Sequence, residues 1–194
     1  MAKRPSDTRK HILTTARSLF WKHGFRRVSI EEICECSEIS KMTFYRYFPN
    51  KTELAKTVFL TVIDEGYERF REIMASPVSP EEKINGILLL KFEGTNEISE
   101  EFMKDFYSEN DSELYGFVLS STSEIWQKIL ADLKTAQQKG IFREDLNFEF
   151  FFYFSQKIAS LVNDPNIIKL FASPRDMIME TARLLMYGIA PRKQ

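Results

Sequence analysis

The chain has 194 residues, 43% of them apolar, and only seven glycines, a composition that suits a folded protein with a sizeable core. No apolar run approaches about 18 residues and no apolar segment follows the basic N-terminus, so we expect neither a membrane span nor a signal peptide, and a cytoplasmic location. Strand-like alternation is absent, which predicts an all-α protein. The segments with helical spacing indicate about nine helices.

The formal net charge of −1 conceals an uneven distribution along the chain. Residues 1–51 hold eleven Lys and Arg against five Asp and Glu, a net +6, so the remaining residues carry −7. A basic segment of this kind is typical of a surface that contacts phosphates, although ordinary solvated helix faces account for part of it. The charge step predicts a small domain over residues 1–51 and a larger domain over residues 52–194.

Two helices are predicted in the first part of the basic segment. The first runs from Ser6 to His23, where apolar residues recur at helical spacing, and Gly24 occupies the position of a C-terminal cap. The second is opened by Ser29, which has the spacing of a capping box with Glu32.

A short third helix begins at Ser40, whose hydroxyl can cap the first turn, and ends before Pro49, which disfavours helical geometry at the preceding residue. Only a tight turn separates it from the second helix, an arrangement typical of a helix-turn-helix that places its second helix in the major groove of DNA. Two helices of an ordinary core are the alternative. The candidate contacts to base edges and phosphates are Arg9, Ser29, Ser40, Lys41, Met42, Thr43, Tyr45, Arg46, Tyr47 and Lys51.

A set of positions at fixed spacing over this segment resembles the DNA-binding domain of the TetR-type (TetR/AcrR) transcriptional regulators. The resemblance implies a three-helix helix-turn-helix domain, a long fourth helix leading to a larger helical domain that binds an effector and dimerises, and palindromic operators in double-stranded DNA. The positions are Thr8-Arg9, Ile12-Leu13, Ala16, Leu19-Phe20, Gly24-Phe25, Val28-Ser29, Ile33, Ile39-Ser40, Thr43, Tyr45, Phe48 and Lys51.

Two residues depart from the family's pattern. Glu38 stands in the turn where glycine is usual, so we expect a non-glycine residue at positive φ, at a cost of about 1 kcal/mol. Met42 stands where a small residue is usual, in the exposed first turn of the third helix, where its thioether can touch a thymine methyl. Both departures predict a turn geometry and an operator preference particular to this chain.

Further helices are predicted beyond residue 51. Asn50 opens a long fourth helix that ends near Ala75, and Ser79 caps the next helix, which ends near Gly94. A short helix over residues 100–107 and a long one over residues 112–139 follow. The connection over residues 140–146 then resembles the one before the last two helices of TetR-type regulators.

The last two helices carry apolar side chains on more faces than a small domain covers. The resemblance implies that these helices pair with their copies in a four-helix bundle that makes a homodimer. A monomer with an unusually aromatic core is the alternative. The candidate interface residues are Phe148, Phe152, Ile158, Leu161, Ile178, Ala182, Leu185, Met186 and Ile189.

An effector pocket is predicted from aromatic residues in helices that resemble the ligand-enclosing set of the family. An apolar or aromatic small molecule is the expected ligand, and plain core packing is the alternative for every one of these residues. The candidates are Phe92, Phe102, Phe106, Tyr107, Tyr115, Phe117, Trp126 and Phe151.

Catalytic and metal chemistry find little support in the sequence. There is no glycine-rich phosphate loop, and Cys34 and Cys36 lie two residues apart on one helix, where they face different directions and cannot easily share a metal. We expect a structural role for both cysteines, with a thiol-based redox switch as the alternative. No cofactor, no metal site and no enzymatic activity are expected.

The resulting interpretation is a homodimeric DNA-binding regulator. We expect a repressor that a small effector releases from a palindromic operator. A ligand-independent structural or nucleoid-associated DNA-binding protein is the alternative, because it would keep both the DNA-binding domain and the dimer.

Overall fold

The computed structural model describes residues 5–107, 112–160 and 164–190. Ten α-helices and no strand lie within these residues, which confirms the predicted all-α class. The additional helix is α9, which has four residues and is too short for apolar periodicity to reveal. The helices are α1 (Pro5–His23), α2 (Ile30–Cys36), α3 (Lys41–Tyr47), α4 (Lys51–Ala75), α5 (Pro80–Gly94), α6 (Glu100–Phe106), α7 (Ser112–Gln138), α8 (Phe148–Ser160), α9 (Pro165–Ile168) and α10 (Pro174–Ile189).

Side-chain caps set several of the helix boundaries. Gly24 ends α1 with a φ of 80°, the left-handed conformation that glycine adopts without a steric penalty. Ser79 forms a complete capping box, because its hydroxyl accepts from the Glu82 N–H at 3.2 Å and the Glu82 carboxylate accepts from the Ser79 N–H at 2.9 Å. The Asn50 side-chain oxygen accepts from the Glu53 N–H at 2.8 Å at the start of α4.

The described residues form two compact units, which divide the chain differently from the predicted boundary at residue 51. Unit 1 holds the residues up to 62 together with residues 97–119, and unit 2 holds residues 63–96 and those from 120 onward. Unit 1 therefore includes α6, which the sequence assigned to the larger domain. Side-chain packing explains the difference, because α6 completes the core of the first three helices.

The core of unit 1 is an aromatic cluster around Phe106 of α6. Phe106 is fully buried, and its ring lies 6.4 Å from Phe20, 6.2 Å from Phe25 and 6.2 Å from Phe59 between ring centroids. One turn earlier in α6, Phe102 packs on Trp21 at 4.4 Å. Aromatic pairs at these separations add stabilisation beyond the area that they bury.

Unit 2 has its own core, to which helices α4, α5, α7, α8 and α10 contribute. Phe70, Ile84, Leu133 and Phe142 are among its buried residues. Lys83 is also buried, and its ammonium donates to the carbonyls of Ile73 and Met74 in the last turn of α4 and to that of Ser76 just after it. A cation at this position satisfies carbonyls that have no partner within the helix and interacts favourably with the helix dipole.

No helix among the described residues combines the length and the apolar character that crossing a membrane requires.

Candidate nucleic-acid interface

Helices α2 and α3 form the predicted helix-turn-helix in unit 1. Ser29 caps α2, with its hydroxyl accepting from the Glu32 N–H at 3.0 Å. The turn between the helices contains Glu38 at a φ of 53°, which confirms the expected positive φ. The turn is closed by a 2.9 Å hydrogen bond from the Ile39 N–H to the Cys34 carbonyl. A fixed turn of this kind holds the second helix at a defined angle to the first.

Helix α3 presents one apolar face to the core and a polar face to solvent. Phe44 and Phe48 are buried, as the sequence predicts, and Phe48 ends the helix with an extended backbone. Ser40 caps the helix by accepting from the Thr43 N–H at 3.1 Å, and the two hydroxyls lie 3.0 Å apart. The hydroxyl of Thr43 is therefore held at a fixed position in the first turn of α3.

The most exposed apolar side chain of α3 is Met42, with 86% of its surface accessible. Tyr45 is exposed as well, and its ring is held edge-on against Phe44 at 5.4 Å. Arg46 stacks its guanidinium on the ring of Tyr47 at 5.1 Å. This face combines an apolar tip, of the kind that suits a thymine methyl, with donors of the kind that contact phosphate oxygens.

Two candidate contacts come from outside α3. The exposed Arg9 of α1 places its guanidinium 5.4 Å from the centre of the Phe48 ring, beside the C-terminal end of α3. Ser29 is exposed at the start of α2, with its hydroxyl already engaged in the cap. The structure thus brings both residues onto the same unit as α3, where backbone-positioning contacts are expected in a helix-turn-helix.

The sequence analysis missed the partner of Lys41. The ammonium of Lys41, at the start of α3, forms an ion pair with the carboxylate of Glu31 in the first turn of α2. Both side chains remain largely exposed. The ten-residue separation crosses the turn, so no spacing rule for a single helix points to this pair.

Lys51 does not lie where the sequence analysis placed it. Instead of reaching outward to phosphates, its ammonium donates to the carbonyl of Phe25 at 2.7 Å and to that of Val28 at 2.8 Å, and it lies 4.4 Å from the centre of the Phe25 ring. Burial lowers the pKa of Lys51. The side chain ties the start of α4 to the loop between α1 and α2, where carbonyls would otherwise lack partners.

The predicted effector residues are divided between the two units. Phe102 and Phe106 are core residues of unit 1, packed among the aromatic side chains of α1 and α4. Tyr107, Tyr115 and Phe117 are partly buried in the same unit. In unit 2, Phe151 is buried in the core, and Trp126 packs against that core. Phe92 is exposed, with the guanidinium of Arg175 over its ring. Hydrophobic identity alone did not separate core from pocket.

The predicted dimer residues divide into inner and outer positions. Phe148 and Ile189 are buried in the core of unit 2, so neither is available to a partner. Ala182, Leu185 and Met186 pack partly against that core, and Ile178 is partly buried. Leu161 lies outside the described residues, as do the side chains of Phe152 and Ile158. Other apolar side chains of α8 and α10 are exposed, none of them among the predicted interface residues: Phe150, Tyr153, Phe154, Leu184 and Tyr187.

A capped helix pair with a fixed turn and an exposed polar second helix defines a helix-turn-helix DNA-binding protein. Comparison with known proteins identifies the family. Residues 12–58 match the model of the bacterial regulatory proteins of the tetR family. Residues 12–58 therefore form a DNA-binding domain of the TetR type.

Similarity to individual regulators extends beyond the matched domain. The transcriptional repressor KstR2 of Mycolicibacterium smegmatis is 22% identical over 153 residues, covering 77% of this chain and 75% of that protein. The uncharacterized regulator YdgC of Bacillus subtilis is 22% identical over 99% of this chain and 97% of its own length. The fatty acid degradation regulator FadR of Bacillus halodurans shares the fold, with a TM-score of 0.69, 16% identity and coverage of 99% of this chain and 100% of that chain. These proteins are regulators rather than enzymes, in agreement with the expectation from the sequence.

Proposed function

We propose that this chain is a homodimeric transcriptional repressor that binds a palindromic operator through α3 and leaves it when a small apolar effector binds. The observation that carries the proposal is the exposed face of α3, where Met42, Thr43 and Tyr45 stand beside a buried apolar face that fixes the helix. A single short helix of this length binds DNA weakly. Two copies related by a two-fold axis double every base contact on a palindrome.

The dimer is supported by exposed apolar side chains on unit 2. Phe150 and Tyr153 of α8 are 65% and 63% exposed, and Leu184 and Tyr187 of α10 are 67% and 59% exposed. Large apolar side chains concentrated in this way mark protein–protein contacts. The interface that we propose therefore uses these outward residues rather than the buried Phe148 and Ile189.

Sedimentation equilibrium tests the dimer. We expect a dimer at micromolar concentration, and monomers for a double variant with Phe150→Glu and Leu184→Glu, because two buried carboxylates per subunit oppose association. Leu89→Glu on α5 is the matched control, since Leu89 is also exposed and apolar. A monomeric wild-type chain would contradict the proposal and would favour the alternative of an aromatic monomer.

An apolar effector is supported by the relatives. One similar solved structure is that of the ketosteroid regulator KstR2 of Mycobacterium tuberculosis, and another is that of the fatty acid degradation regulator FadR. In unit 2 of this chain, the partly buried Trp126 packs against an apolar core, and the partly buried Tyr67 donates to Asp132 at 2.9 Å. An effector near these residues would meet an apolar wall with one polar group.

One experiment tests both operator and effector. Selection of duplexes from a random pool should return a palindrome, and a long-chain fatty acid or a sterol should then release the protein from it. Trp21→Phe leaves Trp126 as the only tryptophan, so its fluorescence should change over the same ligand range. Selection without a consensus, combined with binding that no ligand weakens, would favour the alternative of a structural or nucleoid-associated protein.

A further inference from the structure

The two helices of the helix-turn-helix are joined by one pair of opposite charges. Glu31 lies in the first turn of α2 and Lys41 is the first residue of α3, and the carboxylate contacts the ammonium directly. Their side chains are 62% and 56% exposed, respectively. A basic side chain at the start of the DNA-contacting helix thus has a competitor for phosphate within the protein itself.

The chemistry of the ammonium group limits what Lys41 can do while this pair is intact. An ammonium has three N–H donors, and the carboxylate of Glu31 occupies one of them. Two donors remain, and the O6 and N7 atoms of guanine present two neighbouring acceptors in the major groove. A phosphate, in contrast, competes with Glu31 for the same positive charge and repels its carboxylate.

We propose that Glu31 is a specificity-determining residue that keeps Lys41 away from phosphates and directs its two remaining donors to a guanine. The proposal rests on the DNA-binding role given above to α3. Glu31 itself need not touch DNA, because it acts by orienting Lys41 and by offsetting its charge. An intact pair reduces the affinity for any sequence while preserving the contact to the right base.

The protonation states agree with this role. The hydrogen bond from Lys41 lowers the pKa of Glu31, and the same bond raises the pKa of Lys41. Both groups are therefore charged at neutral pH. Exposed ion pairs of this kind change an equilibrium constant by up to about fivefold, which sets the size of the expected effect.

The test compares two substitutions that change the charge of α2 equally. Glu31→Gln removes the acceptor of Lys41, whereas Glu35→Gln removes an exposed carboxylate one turn later on α2, away from the ion pair that the structure shows. Each protein is titrated with the selected operator, with operators carrying adenine in place of each guanine, and with a scrambled duplex of the same composition. Every titration is repeated across a series of salt concentrations.

We expect Glu31→Gln to bind the scrambled duplex about fivefold more tightly, with a salt slope steeper by about 0.9 because Lys41 is free to neutralise one more phosphate. Its discrimination at one guanine should fall by about fivefold or more. Glu35→Gln should alter the affinity for all duplexes by one common factor. If Glu31→Gln and Glu35→Gln behave alike while the wild type prefers its operator, the role of Glu31 is overturned. A wild-type chain that binds no duplex overturns the proposed function as well.

Discussion

The carboxylate of Asp105 in α6 accepts a hydrogen bond from the backbone N–H of Arg26 at 2.8 Å, in the loop that joins α1 to α2. The Arg26 guanidinium also lies 3.6 Å from the same carboxylate. Nearby, the Ser99 N–H donates to the carbonyl of Trp21 at 2.9 Å. Helix α6 is thus attached to the DNA-binding helices by polar bonds as well as by its aromatic residues.

Removal of the Asp105 carboxylate should destabilise unit 1. We expect Asp105→Ala to lower the free energy of unfolding by about 1–2 kcal/mol, because the loop loses a charged acceptor, and Asp105→Asn to cost less, because its amide oxygen still accepts. Denaturant unfolding measures the difference. Asp64→Ala is the control, since it makes the same change at an exposed position of α4 for which the described residues show no such bond. Equal effects of Asp105→Ala and Asp64→Ala would contradict the role.

Gly24 should tolerate no side chain, for two separable reasons. Its φ of 80° disfavours any L side chain, and a Cβ atom there would lie 2.7 Å from the Asp105 carboxylate oxygen and 2.9 Å from Glu101 Cβ. Gly140 has a similar φ of 72° but open space around its Cα. We expect Gly140→Ala to cost about 1–2 kcal/mol through the backbone alone and Gly24→Ala to cost more. Thermal unfolding of both variants measures how much the contact with α6 adds to the loss of stability. Equal losses of stability would show that α6 moves away to make room for the Cβ atom.

Glu38 should be replaceable by glycine with a gain in stability. Its φ of 53° places a non-glycine residue in the left-handed region. Glu38→Gly should therefore raise the free energy of unfolding by about 0.5–1 kcal/mol. The gain is the relief of backbone strain, partly offset because glycine gives the unfolded chain more conformational freedom. Glu35→Gly, inside α2, is the control and should lose about 1 kcal/mol. Loss of stability in both variants would mean that the Glu38 side chain stabilises the turn.

Local and long-range features of this chain differ in how far the sequence predicts them. Ser40, Asn50 and Ser79 cap their helices as predicted, because capping depends on residues within three positions of one another. Phe106 was assigned to a pocket and Phe148 to a dimer interface, but both are buried in the core. Periodicity shows that one face of a helix is covered, but it does not show whether core, ligand or partner subunit covers it. Only the tertiary structure distinguishes a core position from a pocket or interface position.

The phenol of Tyr107 should make stability depend on pH at the alkaline end. Burial raises the pKa of Tyr107 to about 12, whereas the unfolded phenol titrates near 10. The folded state holds its proton more tightly, so this contribution to stability is complete below about pH 10 and is lost as the pH rises toward 12. Tyr107→Phe should flatten the decline in unfolding free energy between these values. Tyrosinate absorbance provides an independent check, because Tyr107→Phe should remove the absorbance change of one tyrosine that ionises near pH 12. An unchanged decline in the variant would contradict the assignment.

Lys51 and Arg46 should separate fold stability from phosphate contact. The ammonium of Lys51 is engaged by carbonyls of the loop between α1 and α2, so Lys51→Met should lower the free energy of unfolding by about 2 kcal/mol and leave the salt slope of DNA binding unchanged. The exposed guanidinium of Arg46 should show the opposite pattern: Arg46→Gln should leave stability nearly unchanged and reduce the salt slope by about 0.9.

Binding must be measured well below the unfolding midpoint of the Lys51 variant, so that its loss of stability does not reduce the folded fraction. Under those conditions a reduced slope in Lys51→Met would show that this lysine leaves its carbonyl partners and reaches phosphate in the complex. An unchanged slope would assign to Lys51 the structural role that its hydrogen bonds indicate, because an ammonium that is already satisfied within the protein has no donor to spare for DNA without breaking the loop.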